Sequence, residues 1–281
     1  MNESDIQGFW NQYPCGELQV ASLRQHQGNY EAFFNDYDKF RYRKEGHILH
    51  CLDGIEFESK QVLEIGLGQG ADAEQMIRRG AIWSGLDLTP ESVARVETRL
   101  ALRQLPHQSV KQGSVLQIPH ASHTFDIVVS HGVLHHVPDI LVAQREICRV
   151  LKPDGELVVM LYAKWSLNYL VSIGLFRRLG LIALYLSGRA PAGILGQHLA
   201  NARAMGLWRY LRMENFIHRN TDGPLNPYAK VYDLRAVKND FPDFKVTRSY
   251  KRFMHAPPLP VKWLPLERLL GWHVWVHLRP A

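Results

Sequence analysis

Between Lys60 and Tyr162 the chain alternates short apolar runs with amphipathic stretches, the pattern of βα units laid into a parallel sheet. Gln61 to Ile65, Ile82 to Leu86, Phe125 to Ser130 and Glu156 to Leu161 read as strands. Three of them are nearly continuous apolar runs, as expected where helices cover both faces of a sheet. The helices between them carry start signals. Thr89-Pro90-Glu91 sets a capping hydroxyl, a proline suited to the first helical position and an acid at the positive dipole end, ahead of Val93, Val96 and Leu100. Asp139 precedes Ile140, Ala143, Ile147 and Val150 in the same way, and Lys152-Pro153-Asp154-Gly155 reads as the turn that stops this helix. After Tyr162 the alternation ends, and Trp165 to about Leu211 is helical in composition. Lys245 to Tyr250 and His273 to Leu278 return to strand patterning around a loop holding Pro257, Pro258 and Pro260. The predicted class is α/β, a doubly wound, mostly parallel sheet with a helical insertion.

A length of 281 residues, 46% hydrophobic and 21% charged, suits a soluble globular domain with elaborations and excludes disordered, collagenous and coiled-coil chains. Cys15, Cys51 and Cys148 stand apart without metal or disulfide spacing, so no metal is expected and a reducing cytoplasm fits. The opening MNESDIQGFWNQYPCG has neither the basic nor the apolar region of a signal peptide, which adds to the cytoplasmic expectation. The net charge of +6 is spread along the chain with no nucleic-acid-binding pattern, so no nucleic-acid partner is expected. Trp165 to Leu186 is apolar, but Arg177 and Arg178 cut it into halves too short to span a bilayer. Buried or substrate-covering helices are expected there, and peripheral membrane contact is not favoured.

The chemistry centres on Val62 to Gly70, VLEIGLGQG, a strand entering a glycine turn that opens a helix at Ala71. Glycines there let the backbone turn sharply and approach a ligand across the strand's carboxyl end. Gly66, Gly68 and Ala71 also satisfy the dinucleotide fingerprint, which keeps a nicotinamide-dependent oxidoreductase in view. Asp87, closing the second strand, suits ribose hydroxyls in either class of cofactor. Glu64 separates the two, because a carboxylate ahead of the turn repels a pyrophosphate and tolerates a cation such as the sulfonium and ammonium of S-adenosylmethionine.

These motifs resemble the class I S-adenosylmethionine-dependent methyltransferases, in particular the type 11, UbiE-like branch. VLEIGLGQG is similar to that family's first motif, GLDLTPESV to its second, QGSVLQIPHASHTFDIVVSHGVLHHVPD to its third and fourth, and REICRVLKPDGELVVMLY to the helix and strand that follow. FWNQYPCG with YEAFFNDYDKFRY resembles the N-terminal cap of small-molecule members, and DGPLNPYAKVYDLRAV with GWHVWVHLRP their last third. The resemblance implies a seven-stranded Rossmann-like sheet. It implies that Glu64, Gly66, Gly68 and Gly70 frame the methionine end of the cofactor, that Asp87 holds the ribose, that Leu88, Ser114 and Val115 meet the adenine, and that His131 lies near the methionine. Ser114 departs from the family, where an aspartate usually accepts the adenine amino group.

His131 and His135 cluster with His136 at the end of the fourth strand, where a histidine can take a proton from an acceptor, and Tyr162 ends the fifth strand facing the same crevice. These three, His131, His135 and Tyr162, are the catalytic candidates, whereas His136 is expected to pack. From the aromatic N-terminus, Tyr37 and Tyr42 are expected at the cofactor, since aromatic faces attract a sulfonium. The chain thus divides into cap helices (1–58), a cofactor-binding core (59–164), an insertion forming the acceptor cap (165–240) and closing strands (241–281). The expected function is methyl transfer to an O, N or C atom of a mid-sized hydrophobic or aromatic metabolite. The alternatives are a non-catalytic binder of S-adenosylmethionine and the nicotinamide enzyme. Oligomeric state is left open.

Overall fold

The computed structural model describes residues 2–14 and 25–281; Cys15, and with it the end of the FWNQYPCG motif, lies outside them. Seven strands, β1 (Gln61–Ile65), β2 (Ile82–Asp87), β3 (Ser109–Gln112), β4 (Phe125–His131), β5 (Leu151–Tyr162), β6 (Phe244–Arg252) and β7 (His273–Pro280), form one sheet in the order β3-β2-β1-β4-β5-β7-β6. Strands β1 to β5 pair in parallel, while β7 runs antiparallel between β5 and β6. The order reverses between β1 and β4, and a crevice opens beyond the carboxyl ends of strands at such a switch point.

Two differences from the sequence pattern have local causes. β3 is a short, polar, half-exposed edge strand, SVKQ, with no apolar run to announce it. The turn Lys152 to Gly155 does not begin a separate strand: Phe125 pairs with Leu151 and Ile127 with Glu156, so the four turn residues bulge out of one ladder opposite Asp126. Lys152 Nζ sits 2.7 Å from Asp126 Oδ1 and holds the bulge.

Helices α1 (Glu3–Gln12), α2 (Tyr30–Lys44), α3 (His47–Asp53), α4 (Ala71–Ile77), α5 (Pro90–Leu102) and α6 (Ile140–Val150) cover the sheet. Thr89 caps α5 by accepting the Ser92 N–H, with Pro90 at the first position, whereas Asp139 precedes α6 without a capping bond. Strand alternation divides the core. Leu63, Ile65, Val128 and Val159 meet Ala143 and Ile147 of α6 on one face. Val62, Ile127, Val129 and Val158 meet Ile48, Met76 and Val96 on the other.

The insertion opens with a wide π-helical stretch, Asn168–Arg177, that continues into α7 (Arg178–Leu186), α8 (Gly193–Met205) and the short α9 (Leu207–Tyr210), α10 (Met213–Phe216) and α11 (His218–Thr221). It has its own apolar cluster around Ile173, Leu181, Tyr210 and Phe216. The chain then returns to the sheet earlier than residue 240. Tyr232 bonds Tyr162 and Lys164 backbone to backbone, and Val237 of α12 (Leu234–Asp240) belongs to the main core. A last short helix, α13 (Glu267–Leu270), precedes β7.

Candidate functional site

The glycine turn is fixed from two sides. Gly66 has φ +83°, and a Cβ there would fall 2.1 Å from Val133 Cγ2, so only glycine fits. Asp87 fastens the turn to β2: its Oδ2 accepts the Leu67 N–H at 2.6 Å, and its Oδ1 accepts both the N–H and the hydroxyl of Thr89 at 2.8 Å. Burial pushes the Asp87 carboxyl up, against the pull of these bonds.

Around the turn lies a cavity of about 1200 Å³, counting the part open to solvent. Its floor is the carboxyl ends of β1, β2 and β4, and α1 and α2 supply a wall through Glu3, Ile6, Trp10, Tyr37 and Arg41. On the β2 side stand Asp87, Leu88, Gly113 and Val115; on the β4 side stand His131, Gly132, Val133 and His136.

Charged groups meet on the β4 side. Asp72 in the first turn of α4 lies 2.5 Å from Arg41 Nη2 and 2.6 Å from His131 Nδ1. Arg41 and His131 hold the Asp72 carboxyl far below the usual range despite its burial, and Asp72 in turn raises Arg41. Asp72 Oδ2 at 2.6 Å outweighs the Arg41 Nη2 donor at 3.1 Å and assigns the His131 proton to Nδ1, leaving Nε2, which is buried and has no hydrogen-bond partner among the described residues. Tyr42 supports this network from behind, donating to the Ala71 carbonyl at 3.0 Å. Glu64 accepts the indole N–H of Trp83 at 3.0 Å. Burial, reinforced by Asp72, pushes the Glu64 carboxyl well up.

Of the residues singled out from sequence, Tyr37, Glu64, Gly66, Gly68, Asp87, Leu88, Val115 and His131 line the cavity. Gly70, at φ +75°, instead starts α4. The Ser114 hydroxyl bonds the Glu3 carboxylate and accepts the Leu116 N–H at 2.9 Å, so it is the Glu3 side chain that reaches the wall there. His135 is fully buried, its ring 3.9 Å from that of Tyr162, and neither residue is among those lining the cavity; β5 ends behind it. His136, expected only to pack, does line it, with Nδ1 2.6 Å from the Tyr228 carbonyl and Trp10 edge-on to its ring. No lining residue among those described comes from 165–240, so the cover of this cavity is α1 and α2 rather than the insertion. The insertion reaches the site from behind, through the Tyr228 carbonyl on His136 and through Asp222, which accepts the Tyr162 hydroxyl at 2.8 Å and lies 3.4 Å from His136 Nε2.

Sequence reading missed Glu3, Trp10, Arg41 and Asp72. One signal was present: Arg41 lies four residues after Tyr37 and therefore on the same helical face. Among the described residues, His135, His136 and Asp222 alone bring metal-capable atoms together, all within 4.8 Å of one another.

The wall is rich in acceptors, with Glu3, Glu64, Asp72 and Asp87, and Arg41 is its one lysine or arginine among the described residues. Such a set of acceptors fits a ligand carrying a sulfonium, an ammonium, ribose hydroxyls and an exocyclic amine, and it does not fit a pyrophosphate.

Comparison with known proteins agrees. Residues 63–159 match a family described as a methyltransferase domain. The ubiquinone biosynthesis O-methyltransferase of Alkalilimnicola ehrlichii is 29% identical over 202 residues, covering 68% of this chain and 75% of the relative. The enzyme of that name from Idiomarina loihiensis is 34% identical over 40% of this chain and 45% of its own length, and the chain spans about half the length of other curated relatives it matches. Among solved structures, an S-adenosylmethionine-dependent methyltransferase from Mesorhizobium loti shares the fold, with a TM-score of 0.53 at 15% identity over 84% of this chain and 97% of that one. Another, from Aquifex aeolicus, gives 0.51 at 14% identity over 86% and 93%.

Proposed function

We propose, for a chain whose residues 63–159 match a methyltransferase domain, S-adenosylmethionine-dependent transfer of a methyl group to an oxygen of a mid-sized hydrophobic or aromatic acceptor. The observation that carries the oxygen assignment is the His131–Asp72 pair, with its unbonded Nε2, on the β4 side of the cavity. The curated relatives named as O-methyltransferases support the same choice.

Bound S-adenosylmethionine supplies an electrophilic methyl on a sulfonium that departs as a neutral thioether. Glu64, Gly66 and Gly68 would hold its methionine end, Asp87 its ribose, and Leu88 with Val115 its adenine. Tyr37, in the cavity wall, would place an aromatic ring near the positive charge. Asp72 accepts a hydrogen bond from His131 Nδ1–H and fixes its tautomer, and Arg41 keeps Asp72 ionised. His131 Nε2 then takes the acceptor's hydroxyl proton as a general base. Because the reaction is an in-line displacement, alignment and exclusion of water by α1 and α2 supply the rest of the rate.

The test is a methyl-transfer assay over hydroxylated aromatics, amines and carbon acids. Oxygen acceptors should be methylated, and His131→Ala should lower kcat by about 10²- to 10⁴-fold with cofactor affinity nearly unchanged. Turnover confined to amines would overturn the oxygen assignment. Cofactor binding without turnover on any class would favour the non-catalytic alternative.

A further inference from the structure

The stretch Asn168–Leu186 is long and apolar enough to cross a membrane by composition, yet only 17% of that window is buried in the protein. One face is anchored. Ile173 and Leu181 enter the insertion's own cluster, and Arg177 donates to the Asn220 carbonyl at 2.7 Å. The opposite face is bare: Leu175, Leu179 and Leu186 fall on one side of the helix, each exposed, with Phe176 beside them, and Trp165 and Trp208 elsewhere in the insertion are exposed too. Isolated exposed apolar residues are ordinary, but a face of this extent on one unit marks an interaction site.

Charge identifies the partner. From Trp165 to Met213 the chain holds six arginines and neither aspartate nor glutamate, as much charge as the whole protein's excess of +6. Arg189, Arg203 and Arg209 are exposed, and among the described residues none of Arg177, Arg178, Arg189, Arg203 and Arg209 forms an ion pair with a carboxylate. A protein partner with an apolar face would have no need of an acid-free surface. A surface of leucine, phenylalanine and tryptophan set among unneutralised arginines has the chemistry of the boundary between lipid headgroups and acyl chains. Spanning is excluded by the anchored face, which holds the helix against the protein.

We infer that the helical insertion docks onto an anionic phospholipid bilayer, lying in its interface. This reverses the sequence expectation of a buried or substrate-covering stretch, and it stands independently of the methyl-transfer reading.

Flotation of the full chain with vesicles tests it. The protein should float with vesicles of phosphatidylcholine and phosphatidylglycerol, and less with phosphatidylcholine alone or in 0.5 M salt. Arg189→Glu with Arg203→Glu should weaken partition by roughly fivefold or more per arginine. Leu175→Gln with Leu179→Gln should weaken it as well. Circular dichroism and cofactor affinity should stay unchanged in both variants, which separates lost docking from lost folding and from failure of the methyltransferase assignment. No flotation with either vesicle would overturn the inference. So would concentration-dependent dimerisation in its place, which would assign the face to a second copy.

Discussion

Glu64 is where the site's two demands conflict. Its folded carboxyl is raised by burial and by Asp72, so its contribution to stability is fully present below the unfolded value near 4.3 and is lost as pH rises through the raised folded value. Glu64→Gln mimics the protonated form and can still accept the Trp83 N–H. It should raise the unfolding free energy of the ligand-free protein at alkaline pH by about 1 to 3 kcal/mol, the scale of an uncompensated buried polar group, while weakening the binding of S-adenosylmethionine. Denaturant titration at two pH values, with calorimetry, checks both signs. Ser114 has a related logic. Because Glu3 already stands against its hydroxyl, Ser114→Asp alone puts two carboxylates together and should weaken cofactor binding, although the sequence departure by itself suggested that an aspartate would help. Combining it with Glu3→Gln should recover affinity beyond the single change. Calorimetry showing tighter binding by Ser114→Asp alone would contradict this geometry.

At the scale of elements, one buried side chain clamps α2 to both α4 and α5. Arg99 of α5, fully buried, meets Asp38 of α2 at 2.7 Å and Glu74 of α4 at 2.9 Å, with its guanidinium 4.6 Å from the Phe34 ring. Removing one member of a buried charge cluster costs about 3 to 5 kcal/mol. Asp38 is partly exposed and can recover water, so Arg99→Leu should cost about 3 kcal/mol. The same change should loosen α2 and with it Arg41, so cofactor affinity should fall alongside Tm; affinity unchanged at a lowered Tm would show that α2 keeps its place without the clamp. The elements also show what was legible beforehand. β1, β2, β4, β5 and β7 were readable because both faces are covered and the apolar run says so, whereas β3 was not, being a polar edge strand. The glycine turn and Asp87 were legible because their chemistry is local. Arg41 with Asp72, 31 residues apart, and Glu3 with Ser114, 111 apart, were not, since nothing in a periodic pattern fixes which helix is laid across which strand end.

Across the whole molecule, the insertion gave the widest gap between composition and structure. Its leucines and isoleucines raise hydrophobicity as core residues do, but composition does not say which face will be covered, and here the cluster around Ile173 and Tyr210 satisfies only one. The sheet and the insertion therefore divide the protein into a part that encloses a ligand and a part that turns outward. The seven tryptophans record the same division. Trp83, Trp272 and Trp275 are buried in the body, and Trp10 lines the cavity. Trp165, Trp208 and Trp263 are 51%, 73% and 85% exposed, the first two within the insertion. Their fluorescence thus comes from two populations that report different events. Aqueous acrylamide should quench the outer indoles, and bilayers should protect Trp165 and Trp208 from it. The inner emission should ignore both and shift when a cation in the cavity changes the charge felt by Glu64, whose carboxylate accepts the indole N–H of Trp83.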